Sequence, residues 1–172
     1  MTEIVKAQMC NLEDILEIYA RARKFMAENG NPNQWKNIHP PKDSLIENIT
    51  EQKLYVLKCD GVIDGVFFFD KGPDPTYEYI EGSWLNDRPY HVIHRIASSG
   101  RTKGVLKACV EYCLTLSDNI KIDTHADNCI MQNALEKLGF IHCGIIYVPG
   151  YGPMKAYQKD EPRSAYQLSK QV

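Results

Sequence analysis

A chain of 172 residues, 44% apolar and 24% charged, has the size of one domain and the balance of a globular protein rather than a disordered or fibrous one. A net charge of −2 argues against attachment to nucleic acid or an anionic membrane through bulk charge, and no segment approaches the roughly 20 apolar residues that span a bilayer. Neither nucleic acid nor membrane is an expected partner. The N-terminal TEIVKAQMCNLEDI contains no apolar run of the signal-peptide kind, so the cytoplasm is the expected location. Six cysteines (Cys10, Cys59, Cys109, Cys113, Cys129 and Cys143) are scattered without a CxxC pair. They are expected to be reduced and mostly buried, with neither a disulfide framework nor a metal.

In chain order, IVKAQM (residues 4–9) predicts a short strand. Asn11 is placed to cap the helix after it, in which Leu12, Ile15, Leu16, Tyr19, Ala22, Phe25 and Met26 recur at helical spacing until Gly30. NPNQWKNIHPPKD reads as a loop by its prolines and asparagines and leads into a helix over residues 43–51. KLYVLKCDGVIDGVFFFDKG predicts a hairpin that turns at Asp60-Gly61. A third strand includes TYEYIEG, and RPYHVIHRIAS is the fourth. A helix over 102–116, the strand NIKIDTHA, a helix over 129–138 closed by Gly139 and the strand FIHCGIIYV complete the order β-α-α-β-β-β-α-β-α-β. With no repeat or linker, this predicts one α+β domain around a mixed sheet, residues 1–160, followed by a polar tail, residues 161–172.

The stretch that carries chemistry is SSGRTKGVL, Ser98 to Leu106, a basic glycine-containing turn between a strand and a helix. A helix N-terminus has unpaired N–H groups and the positive end of the helix dipole, so a turn opening into one is an anion site. Gly104 admits a ligand close to the backbone, while Arg101 and Lys103 add charge, and a diphosphate is the natural guest. The alternative is that Gly100 only makes a tight turn and the basic side chains face water. No GKS or GKT follows and there is no GxGxxG, so neither a nucleotide P-loop nor a dinucleotide fingerprint is present. A second informative stretch is KIDTHADNCIMQNALEKLGF. Its strand ends near Thr124, Asp127-Asn128 opens a helix, and LGF closes it.

Together, in this order and spacing, the RTKG turn and the segment from Asn128 to Phe140 resemble the GCN5-related N-acetyltransferase (GNAT) family over nearly the whole chain, to about Lys159. The resemblance implies a single-domain fold with a mixed, mostly antiparallel sheet flanked by helices, in which two splayed strands form a cleft for acetyl-CoA as cosubstrate. The family's turn falls on Arg101, Thr102, Lys103, Gly104, Val105 and Leu106, with leucine in place of a small residue at the last position. Ile96 and Ala97 take the strand positions that pair with the pantetheine amides, and Asn128 matches an asparagine that reaches the cofactor, or is simply a helix cap. Where many members carry a tyrosine that protonates the departing thiolate, this chain has Leu135.

Among candidate bases, His94 lies two residues before Ile96, on the same face of a regular strand, and titrates in the right range. It is otherwise a structural histidine. His125, Glu78 and Glu81 are alternatives, and Tyr147 or water is a substitute acid. The resemblance assigns one wall of the acceptor site to the first helix and loop, here Tyr19, Arg23 and Trp35. Glu78 and Glu81 are available to attract a cationic amine. The implied activity is acetyl transfer to a primary amine of a small molecule or peptide by direct attack in a ternary complex. A non-catalytic acyl-CoA-binding module is the alternative, and the oligomeric state is left open, a homodimer included.

Overall fold

A computed structural model describes residues 1–162. Residues 163–172, most of the expected polar tail, lie outside the described residues. The chain runs β1 (Thr2–Lys6), α1 (Leu12–Glu28), α2 (Lys42–Thr50), β2 (Leu54–Cys59), β3 (Val62–Lys71), β4 (Glu81–Gly82), β5 (His91–Ser98), α3 (Val105–Leu116), β6 (Asn119–His125), α4 (Cys129–Lys137), β7 (Ile141–Val148) and β8 (Gly152–Asp160). Among the described residues, eight strands form one sheet in the order β1-β2-β3-β5-β6-β8-β7-β4. Every neighbouring pair is antiparallel except β5 and β6. This is the α+β architecture expected: an open, mixed, mostly antiparallel sheet with four helices.

Strand alternation sends residues to two cores. Tyr55, Leu57, Phe67, Phe69, Ile93, Ile120 and Ile122 pack with Val105, Cys109, Val110 and Cys113 of α3 and Leu135 of α4. Leu54, Val56, Val66 and Ala97 pack on the other face with Ile15, Ile18 and Tyr19 of α1 and Leu45 and Ile49 of α2. One pair of helices therefore covers each face.

Five local readings are corrected. β1 runs Thr2–Lys6 rather than over residues 4–9, and Met9–Asn11 already form a 3₁₀ turn where the strand was expected to continue; the Asn11 side chain accepts from the Gln8 amide at 2.9 Å and does not cap α1. The segment TYEYIEG is not one continuous strand: Pro75–Tyr77 form a 3₁₀ turn, and only Glu81–Gly82 pair, with β7 at the far edge. β8 was not anticipated, and it inserts between β6 and β7. Of the six free cysteines only Cys109 and Cys113 are buried, and burial pushes the Cys109 thiol up to about 12.

Candidate active site

The site begins with a fault in β5. Val66 faces Ala97 and Phe68 faces His94, so two steps along β3 correspond to three along β5. The extra residue is Arg95, at φ 55°, a left-handed conformation uncommon for a side-chain-bearing residue. Such a bulge bends a strand and turns its ladder away from its neighbour. β5 pairs with β6 only from His91 to Ile93, opposite Ile120 to Ile122. Beyond that point the strands part, while β5 keeps its pairing to β3 and β6 its pairing to β8. Two helices hold the strained residue: the Tyr19 hydroxyl donates to the Arg95 carbonyl at 2.7 Å, and Arg95 Nη1 donates to Asn48 Oδ1 at 2.6 Å. Strain of this kind, about 1–3 kcal/mol, persists where the surroundings over-determine it.

The gap is a cleft of about 800 Å³. Ile96, Ala97, Gly100, Val105 and Leu106 line one part, Asn128, Ile130, Met131 and Ala134 another, and Trp35, His39, Phe68, Asp74, His94, Arg95, Asp123 and Tyr151 a third. Phe25 and Met26, the apolar end of α1, also line it, which explains why Phe25 is 53% exposed. Thr124 is buried in the cleft wall, and among the described residues its hydroxyl has no hydrogen-bond partner.

The turn before α3 is organised by Asp64, which the sequence did not single out. This buried carboxylate accepts from Ser99 Oγ and Arg101 Nε, each at 2.8 Å, and from the Thr102 hydroxyl. Burial opposes its ionisation, but the bonds from Thr102, Ser99 and Arg101 outweigh that and hold the carboxyl at about 2. Arg101 also donates to the Ile63 carbonyl. The Arg101 charge is thus spent on Asp64, a correction to its expected role; Arg101, Thr102, Lys103 and Gly104 do not line the cleft wall, while Gly100, Val105 and Leu106 do. The first turn of α3 has no side-chain cap, and its amides have no acceptor within the helix. Gly104 takes φ 79°, and a Cβ there would meet nothing within 4 Å.

Asn128 caps α4 by accepting from the Met131 amide at 3.1 Å, and its amide nitrogen also donates to Gln34 Oε1 at 2.9 Å. It therefore straps the start of α4 to the loop after α1. Leu135, by contrast, is fully buried among the residues under α3.

His94 does not share a face with Ile96. The bulge shifts the alternation by one, so His94 and Arg95 lie with Phe68 on the α1–α2 side while Ile96 packs toward α3. His94 Nε2 lies 2.8 Å from Asp74 Oδ2 and Nδ1 lies 3.4 Å from Asp123 Oδ1. Burial works against its charge, but the bonds to Asp123 and Asp74 prevail and raise it to about 9. Desolvation likewise opposes the Asp74 charge, yet the bond from His94 brings that carboxyl to about 2. At neutral pH His94 is an imidazolium between two carboxylates, with no lone pair for a base. The Tyr77 hydroxyl donates to Asp123 at 2.7 Å and completes the network.

The raised value of His94 means that its network contributes stability fully below pH 6.5, the unfolded value, and loses it as pH climbs through about 9. The urea stability of the wild type relative to His94→Asn should shrink by on the order of 3 kcal/mol between pH 6 and pH 10, because each pH unit of displacement is about 1.4 kcal/mol. A gap that stays constant across that range would mean that folding does not shift the pKa of His94.

The other expected site residues separate. Trp35 lines the cleft and packs edge-on against Tyr19, with centroids 5.6 Å apart. Tyr19 is fully buried and supports the bulge, so it does not face an acceptor. Arg23 donates to the His39 carbonyl rather than lining the cleft. Glu78 and Glu81 are exposed and outside it, Glu81 accepting from the exposed Tyr147 at 2.8 Å, which also removes Tyr147 as an acid. His125 accepts from the Asp127 amide outside the cleft. Sequence reading missed Asp74, Asp123, His39, Arg95 and Tyr151. Their only local signal is a prolyl neighbour for His39 and Asp74, which marks loops and no chemistry. Tyr151 and His39 meet across 2.8 Å between Oη and Nδ1. Burial first, then the charges of Arg95, His94 and Arg23, lowers His39 to about 4, so its ring is neutral.

No protein-family model matches the chain, and no curated protein is similar to it in sequence. Solved structures are similar. A GNAT-family acetyltransferase from Streptococcus agalactiae is 28% identical, with 94% of this chain and 96% of that one covered, at a TM-score of 0.86. A Staphylococcus aureus structure assigned to the acetyltransferases is 26% identical over 91% and 97% of the two chains, at 0.68. The Salmonella typhimurium protein yncA, solved with its cofactor acetyl-CoA, is 14% identical over 95% and 96%, at 0.62. The chain has the GNAT acetyltransferase fold. Among the described residues no helix is long and apolar enough to cross a membrane.

Proposed function

We propose that the protein is an acetyl-CoA-dependent N-acetyltransferase that acetylates a primary amine of a small molecule or peptide in a ternary complex. The observation that carries this reading is the parting of β5 and β6 after Ile93 and Ile122, beside the uncapped N-terminus of α3. The residues present fit the cosubstrate. Unpaired strand edges at Ile96 and Ala97 offer backbone partners to an amide-bearing arm, the amides of the α3 start offer donors to a diphosphate, and the orphaned Thr124 hydroxyl awaits a polar partner inside the cleft. Acetyl-CoA would supply the acetyl group as a thioester: the amine lone pair attacks the carbonyl carbon, the C–N bond forms as C–S breaks, the nitrogen gives its proton to solvent water and the sulfur gains one from an acid in the cleft.

The two faces of the sheet divide this work. Ile96, Val105 and Leu106 belong to the α3 side, where the cofactor enters, and His94 and Arg95 belong to the α1–α2 side, where the acceptor approaches. Asp74 and Asp123 flank a single imidazolium, a net negative group suited to an ammonium ion. His94 holds the carboxylates together rather than accepting a proton. Tyr151 is the tyrosine among the cleft-lining residues, and its hydroxyl, oriented by His39, is the proton donor to the thiolate.

Thermal melting with CoA, followed by free-thiol release from acetyl-CoA with an amine panel, tests this. A ligand present at about 100 times its dissociation constant stabilises the native state by about 2.7 kcal/mol. No shift at millimolar CoA would overturn the reading, and a shift without turnover of any amine would favour the binding-module alternative. Tyr151→Phe should lower kcat about a hundredfold, within the usual range for a general acid, with CoA affinity unchanged. An unaltered kcat would remove Tyr151 from the reaction.

A further inference from the structure

The acceptor side of the cleft contains a charge that the network around His94 does not use. Arg95 lines the cleft, and among the described residues no carboxylate lies within ion-pair distance of its guanidinium. Its side-chain hydrogen bond goes to a neutral amide oxygen, that of Asn48, and the guanidinium carbon sits 6.0 Å from the Phe68 ring centroid. A guanidinium has five N–H donors, so one bond to Asn48 anchors it and leaves most of its capacity unspent. The bulge fixes where this group is: a regular strand would put residue 95 on the opposite face from His94, whereas the left-handed turn brings the two side by side. Strain is therefore stored in the backbone to place this particular cation beside the acceptor. A part-buried charge is costly unless paired, and its planar fork matches a carboxylate in a two-bond arrangement.

We propose that the acceptor carries a carboxylate as well as the reacting amine, of the α-amino acid kind, with the carboxylate docked on Arg95 and the ammonium drawn toward Asp74 and Asp123. This rests on the acetyl-transfer reading above. Charge of both signs at one end of a single cleft recognises a zwitterion; an amine without an acid would leave Arg95 unpaired in the complex. After burial, the charges of Arg95, His94 and Arg23 also act on His39 and favour its neutral ring. Trp35, Phe25, Met26 and Phe68 supply apolar lining for the rest of the molecule, which favours an apolar side chain. A peptide amino terminus has its nearest carboxylate replaced by an amide and does not satisfy this pairing.

The test uses the purified chain, acetyl-CoA and thiol release with the common α-amino acids, each beside its carboxamide, its decarboxylated amine and its aminophosphonate analogue. At least one amino acid should exceed its amide and its decarboxylated amine about tenfold or more in kcat/KM, chiefly through KM. Arg95→Asn, which tolerates the left-handed backbone, should abolish that preference, and Arg95→Lys should retain part of it. Both variants should bind CoA as the wild type does. Amides or simple amines turned over as well as the acids, a preference that survives Arg95→Asn, or a phosphonate preferred over its carboxylate would each overturn the proposal. If CoA binds and nothing is acetylated, the acetyl-transfer reading fails by itself. Calorimetric binding of the amino acids to the CoA complex then decides this proposal: binding that Arg95→Asn removes supports it, and no binding overturns it.

Discussion

Replacing Gly104 with glutamate is expected to weaken CoA binding more than a hundredfold while the protein stays folded. At about 5 Å and an effective dielectric near 20, a carboxylate beside one diphosphate charge costs about 3 kcal/mol, and about 1.4 kcal/mol is already tenfold. The effect on the fold is mixed and small. A left-handed residue with a side chain costs about 1–2 kcal/mol, but a carboxylate at a helix N-terminus returns part of that through the dipole, and the position opens onto empty space. Gly104→Asn separates the two contributions, because asparagine accepts the left-handed conformation without adding charge. Calorimetry should show the asparagine variant binding CoA within about fivefold of wild type, since strain alone is modest. Unchanged affinity in Gly104→Glu would mean that the diphosphate does not sit at this turn.

Leu135→Tyr is expected to fail as a repair. The family's acid position would gain its phenol, but Leu135 is completely buried beneath α3, and the α4 residues that line the cleft are Ile130, Met131 and Ala134. Overpacking costs about 1–3 kcal/mol, and a buried hydroxyl without a partner adds about 1–3 more. For a chain of this size each kcal/mol is about 2–4 °C in melting temperature, so a fall on the order of 10 °C should appear, with no gain in kcat. A variant that melts with the wild type and turns over faster would show that this position reaches the sulfur and that Tyr151 is not needed.

The fate of Leu135 shows where sequence reading stops. Its spacing from Met131 and Leu138 is compatible with either a cleft-facing or a core-facing side chain, because both stripes of α4 are apolar. What distinguishes them is the packing of α3 against the same sheet face. The asparagine at 128 has a similar history: its position before a helix suggested a cap and the family resemblance a cofactor contact, and the structure shows the cap together with a bond to Gln34 from the other wall of the cleft.

Features that short-range rules govern are legible in the residues alone. The Asp60-Gly61 hairpin, the helical stripe of α1, the Gly104 entry into α3 and the Gly139 exit from α4 depend on backbone preferences and on a 3.6-residue period, each contained in a few neighbouring residues. The placement of β8 between β6 and β7 follows from long-range packing, because strand partners are chosen by pairing across the sheet and not by the strand's own composition. Long-range contacts also set which way His94 and Arg95 face. Side-chain direction in a strand follows a period of two, so the single left-handed residue Arg95, held by Tyr19 and Asn48 from distant helices, reverses the reading of everything before it. The same long-range contacts gather Asp74, His94 and Asp123 into one network, and that gathering, rather than the presence of a histidine in a strand, sets the charge that His94 carries.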